Sequence, residues 1–211
     1  MNNLILTAEL LLGRKLEPTD GYALEEIQQA EESLGLKLPD ALKDFYHYIG
    51  KTVMLTSSFE RFLPLNELQK DTDKIIFLEE NQAVCWWSTD TLNNEIWVMC
   101  DEDWEKESIN LTDFIQMLMF YNCAQGGFEF GGIADKSNYE TILKAIETTW
   151  NKVVQYNGLI IYAYQDNLIW FFYEGDNYTP TTDGVFLSCR THEGFNAINN
   201  HLGFSKCFNE W

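Results

Sequence analysis

The chain has 211 residues, 45% of them hydrophobic and 15% aromatic, which is ample for a packed core and excludes a disordered tail. Lys and Arg number 14 against 33 Asp and Glu, a formal net charge of −19. Such a surface repels nucleic-acid phosphates and anionic lipid and favours cationic partners, and no stretch approaches the roughly 18 apolar residues of a membrane-spanning helix.

The apolar run from Leu4 to Leu12 is interrupted by Glu9 and has no basic lead, so it does not read as a signal peptide. Residues 1–21 are expected to be an N-terminal extension that packs on a single domain covering 22–211. From Tyr22 the pattern is helical, with Ala23, Ile27, Ala30 and Leu34 on one stripe. Gly35 supplies the stop, and Pro39 with Asp40 opens a second helix carrying Leu42, Phe45, Tyr46 and Ile49. The period then changes. Ile75–Leu78, Ala83–Ser88 and Glu95–Met99 read as strands. Leu111–Cys123 returns to helical spacing. The glycines of GGFEFGG (126–132) break the pattern as a flexible connector, and Tyr139–Trp150 reads as a helix.

In the last third, Leu159–Tyr164 and Leu168–Tyr173 flank Gln165-Asp166-Asn167, a tight hairpin. Val185–Arg190 reads as a strand, and a last helix from Thr191 ends at Leu202-Gly203. The pattern predicts an α+β fold, a mainly antiparallel sheet flanked by helices.

The odd cysteine count (Cys85, Cys100, Cys123, Cys189, Cys207), with no CxxC spacing, suits reduced thiols in a cytoplasmic protein better than a disulfide framework. Cys189, His192, His201 and Cys207 can be forced into a zinc set, but the spacing fits no common ligand pattern, so no metal and no cofactor is expected. GGFEFGG lacks the Gly-Lys-Ser/Thr ending of a phosphate loop. The helix pair around Gly35 fails as a DNA reader, because its second helix offers Asp40, Lys43, Asp44 and His47 within an acidic protein.

The run EEIQQAEESLGLKLPDALKDFYHYIGK (25–51) has an order of elements that carries a family label: a Glu-bearing helix, Leu-Gly, Leu-Pro, then an aromatic-rich helix closing on Gly. With FLPLNEL (62–68), FLEENQAVCWW (77–87) and LTDFIQML (111–118) in the same order, the chain resembles the SUKH superfamily of Smi/Knr-type domains. The resemblance covers about residues 22–123. It implies the SUKH α+β fold and a bacterial immunity protein, not an enzyme, which binds and neutralises a secreted polymorphic or contact-dependent toxin, often a nuclease. Some relatives are instead regulatory or scaffold modules with an endogenous protein partner, and that reading stays open beside the first.

The densest charge cluster is DEDWEKE (101–107). From Asp71 to Glu107 there are eleven acidic residues against Lys74 and Lys106. A solvated loop explains such a run; so does a docking face for a basic toxin domain, built from Asp101, Glu102, Asp103, Trp104, Glu105 and Glu107 with Trp104 as anchor. A calcium loop starting at Asp101 is excluded, since Lys106 stands where Gly is needed and Thr112 where Glu is needed. Trp86 and Trp87 are adjacent in a predicted strand, so each face of the sheet receives one, and Trp97 raises the same question in its neighbour. Either helices cover both faces, or one face stays partly open to a partner or, as the lesser alternative, to a sugar ring stacking on Trp. Neither a nucleic acid, a membrane nor a small-molecule substrate is expected as partner.

Overall fold

The computed structural model describes residues 3–176 and 178–206. The chain forms two compact units, 1–122 and 123–211. Seven α-helices and two six-stranded antiparallel sheets are seen among the described residues, an α+β architecture.

In the first unit, α1 (Asn3–Leu12) buries Leu4, Ala8 and Leu11, and Thr7 accepts a bond from Gln116 at 3.1 Å. The predicted helix corner is present. In α2 (Leu24–Leu34) the stripe centres on the buried Ile27, and Gly35 takes φ +65°, letting Leu36 N–H reach the Glu31 carbonyl. Pro39 sits one position earlier than expected, as the cap before α3 (Asp40–Tyr48). Leu42, Phe45, Tyr46 and Ile49 are buried as their spacing predicts. Glu31, also buried, accepts from Leu38 N and pairs with Lys37, so its carboxylate ties the corner shut. A short α4 (Val53–Thr56) follows.

The first sheet contains β1 (Arg61–Phe62), β2 (Gln69–Asp71), β3 (Lys74–Glu79), β4 (Trp86–Asp90), β5 (Glu95–Met99) and β6 (Glu105–Asn110). Its order is β1-β3-β4-β5-β6, with β2 also paired to β3. Ala83–Cys85, expected in a strand, form a turn in which Ala83 takes φ +55°. Residues 105–107, a loop in one reading of the acidic run, lie in the edge strand β6. A bulge lies between Ile76 and Leu78, so Phe77 and Leu78, though adjacent, are both fully buried. Behind the sheet, α5 (Leu111–Asn122) buries Leu111, Phe114, Ile115, Leu118, Met119 and Phe120.

The second unit begins with a π-helical turn at Cys123–Gly127 and continues through β7 (Phe130–Ala134), α6 (Tyr139–Thr149), β8 (Asn151–Tyr156), β9 (Leu159–Tyr164), β10 (Asn167–Glu174), β11 (Thr179–Cys189), α7 (His192–Leu202) and β12 (Phe204–Lys206). The sheet order is β12-β7-β11-β10-β9-β8. The expected flexible connector at 126–132 is corrected here: Gly131 and Gly132 lie in β7, and a Cβ on Gly132 would stand 2.7 Å from the Ser205 carbonyl oxygen. These glycines let neighbouring chain pack closely. Strand β8 was not expected; it turns into β9 through Asn157-Gly158, both with positive φ. Thr191 caps α7 as expected, accepting from Gly194 N at 3.1 Å. One core gathers Ile142, Ile146, Ile169, Phe171, Leu187 and Phe195.

Candidate protein-interaction face

Strand alternation and the register of the first sheet decide which side chains share a face. Ser88 stands opposite Trp97 and Ile76, Trp86 opposite Met99, and Lys74 opposite both Asp71 and Asp90. Lys74, Ile76, Trp86, Ser88, Trp97 and Met99 therefore occupy one face. Trp87 points the other way, its ring 6.2 Å from Phe114 in the core. Trp86 and Trp87 thus lie on opposite faces, as expected of neighbours in a strand. The face carrying Trp86, Trp97 and Met99 is part-exposed, so one side of the sheet is incompletely covered.

Beyond β5 the chain makes a turn at residues 100–103 before β6. Asp101, Glu102 and Asp103 are exposed and form no ion pair among the described residues. Trp104 does not project into solvent. It is part-buried, and its indole N–H donates to Asp71 at 2.7 Å. Asp71 is the cross-strand partner of Lys74, whose ammonium lies 4.7 Å from the Trp97 ring centroid. Trp104, Asp71, Lys74 and Trp97 thus form one linked cluster that seats the acidic turn beside the aromatic face.

The sequence run does not become one surface. Glu105 stands opposite Val98 and Lys106 opposite Trp97, so Glu105 lies on the face away from Trp97, and Glu107 falls where the β5–β6 register shifts. Lys106 is neutralised by Glu95 at 2.5 Å, and Lys74 has Asp73 at 3.6 Å. Asp101–Asp103 are left as a compact uncompensated charge next to the tryptophans. The hairpin end of β4 and β5 is fixed by Asp90, whose carboxylate accepts from the backbone N–H groups of Leu92 at 2.8 Å, Asn93 at 2.5 Å and Glu95 at 3.1 Å.

At the other end of the same two strands, Cys85 and Cys100 are joined by a disulfide, with Cα atoms 4.1 Å apart. The expectation of reduced thiols is corrected at this pair. Spacing in sequence gave no sign of it, because only the β4–β5 register sets the two residues opposite each other. Cys123 and Cys189 are free and buried, and burial pushes both thiols well above the ordinary value. Of the forced zinc set, Cys189 lies in β11 and His192 bonds Asn196 at 3.2 Å, while Cys207 lies outside the described residues. Among the described residues no group of three or more His, Cys, Asp or Glu is placed to hold a metal ion.

Two features had no sequence signal. Glu60 is buried, and its carboxylate accepts from Asn81 N at 3.0 Å, while its own N–H donates to Asn122 at 2.7 Å. Burial, with Glu80 nearby, raises its pKa to about 7. The second feature is a groove of about 640 Å³ beside Tyr22, lined by Pro18, Tyr22, His47, Tyr48 and Lys51. Its charges are internally engaged. His47 Nδ1 lies 2.9 Å from the Tyr22 carbonyl oxygen, and Lys51 pairs with Glu26 at 3.1 Å while lying 4.5 Å from the Tyr22 ring centroid.

No helix among the described residues is long and apolar enough to cross a membrane. Comparison with curated proteins and with solved structures gives no match. The sequence model of the SMI1 / KNR4 family (SUKH-1) matches residues 21–194, a span that holds the helix corner, the first sheet with its aromatic face, and the second sheet except β12. The chain belongs to the SMI1 / KNR4 family (SUKH-1).

Proposed function

We propose that this chain is a non-catalytic immunity protein that binds a cognate bacterial toxin domain in the cytoplasm and neutralises it by covering a basic surface, such as the substrate cleft of a nuclease. One observation supports this reading above the rest: the uncompensated turn Asp101–Asp103 lies beside a part-exposed tryptophan face in a SUKH chain. An enzyme that grips phosphate needs a basic cleft, and an opposed acidic turn raises the association rate through its field. Trp86 and Trp97 supply the large apolar area that anchors interfaces, while Trp104 acts from beneath by holding the turn in place. Glu105, on the far face, adds to the long-range field rather than to contact.

The test is to read the genes beside this one for a secreted protein with a toxin domain and to co-express that domain with the chain. Rescue of growth is expected, and continued toxicity at matched expression would refute the reading in favour of a regulatory module with an endogenous partner. For the face itself, D101K/E102K/D103K should slow association about tenfold or more at low salt while leaving the fold intact. A rate unchanged by the triple reversal would move the interface elsewhere.

A further inference from the structure

We propose that the Cys85–Cys100 bond is a reversible thiol–disulfide exchange site that clasps the acidic turn. The pair lies one step beyond the Trp86–Met99 partners, at the open end of the β4–β5 hairpin. On the Cys85 side the chain runs into the 80–85 turn, closed by Glu80 N–H donating to the Cys85 carbonyl. On the Cys100 side it runs directly into Asp101–Asp103. The bond is therefore the last covalent tie before the charged turn. Removing it leaves the inner hairpin held by its ladder and by the Asp90 bonds, so opening stays local.

Position also sets reactivity. Cys100 is exposed and Cys85 part-exposed, whereas Cys123 and Cys189 are buried with their thiols held protonated. A small dithiol can reach the bond without unfolding the protein. Its thiolate attacks one sulfur, most openly that of Cys100, forming a mixed disulfide and expelling Cys85 as a thiolate that takes up a proton. The second thiol of the reagent then displaces Cys100. The protein gains two thiols and two electrons, and the reagent leaves as its cyclic disulfide. Oxidised glutathione runs the sequence backwards. Glu80, Asp101, Glu102 and Asp103 flank the site in sequence, so their field selects among attacking thiols: cysteamine, whose amine offsets the thiolate charge, should react faster than the more anionic glutathione.

The experiment treats the intact native protein with dithiothreitol, alkylates it, and reads each cysteine by peptide mass spectrometry beside amide hydrogen exchange. Cys85 and Cys100 are expected to label together while Cys123 and Cys189 stay protected. Exchange at 86–87 and 98–99, the ladder pairs next to the bond, should quicken about tenfold or more, that of 111–122 should not change, and oxidised glutathione should restore the starting state. A bond that resists the dithiol until the protein unfolds would overturn the proposal, leaving a structural staple. Unchanged exchange at 86–87 and 98–99 after full reduction would overturn it too. These readouts do not require the toxin, so their failure is distinct from failure of the immunity reading. The variant C85S/C100S should reproduce the reduced exchange pattern; if it folds poorly, the titration of the unaltered protein still decides.

Discussion

Glu60 gives the sharpest quantitative test of the structure. Its carboxyl is buried, with one backbone N–H bonded to it and Glu80 as a like-charged neighbour, and its pKa rises from 4.5 to about 7. The folded protein therefore holds this proton more tightly than the unfolded chain. Its contribution to stability is greatest below pH 4.5, falls as the pH rises toward 7, and levels off above that. At ~1.4 kcal/mol for each pKa unit, the shift corresponds to about 3 kcal/mol. Glu60→Gln keeps the shape and a carbonyl able to accept from Asn81, but it cannot ionise. The variant should match the unaltered protein at pH 5 and exceed it by about 2–3 kcal/mol at pH 8. Urea-dependent hydrogen exchange of peptides covering 60–82, at pH 5, 6, 7 and 8, reads this difference in the unit that holds Glu60. A difference independent of pH would refute the reasoning, because it would mean that the carboxylate ionises in the fold as easily as in water.

Three further expectations follow from close contacts elsewhere. A Cβ on Gly21 would lie 1.8 Å from the His47 carbonyl oxygen, so Gly21→Ala should cost on the order of 2–3 kcal/mol in urea unfolding, as backbone must move to admit it. Arg14 bonds both oxygens of Asp20 at 2.7 Å, and with Glu17 N–H it holds that carboxyl below its usual range. This stabilisation is present above the unfolded pKa and lost on acidification. Asp20→Asn should therefore cost about 1 kcal/mol at pH 7, with Arg14 part-exposed and screened, and the difference should shrink towards pH 3 in thermal melts. The buried Tyr46 hydroxyl donates to the Leu63 carbonyl at 2.6 Å, so Tyr46→Phe should cost roughly 1–2 kcal/mol by urea titration, leaving that carbonyl unsatisfied.

The sequence by itself determined whatever rests on near neighbours. The stripes Ile27 and Leu42-Phe45-Tyr46-Ile49, the Gly35 and Gly203 stops, the Thr191 cap and the β9–β10 hairpin were readable because each depends on a few consecutive residues and on backbone sterics. The Asn157-Gly158 turn is equally local, but the strand that it opens from, β8, is defined by its pairing with β9. The family was legible in the order of short motifs, each weak alone. What only the tertiary structure decided depends on pairing across the sheet. A bulge at Phe77 puts two consecutive side chains into the core, which no alternation rule foresees. The charged run 105–107 is strand because β5 pairs with it, against its own composition, and that pairing sends Glu105 to the face away from Trp97. The same register, through residues fifteen apart in sequence, sets Cys85 against Cys100 and places the acidic turn beside the tryptophans. Local conformation follows from side-chain and backbone sterics over one or two turns; a shared face requires knowing which strands meet and in what register, and only the folded sheet supplies that.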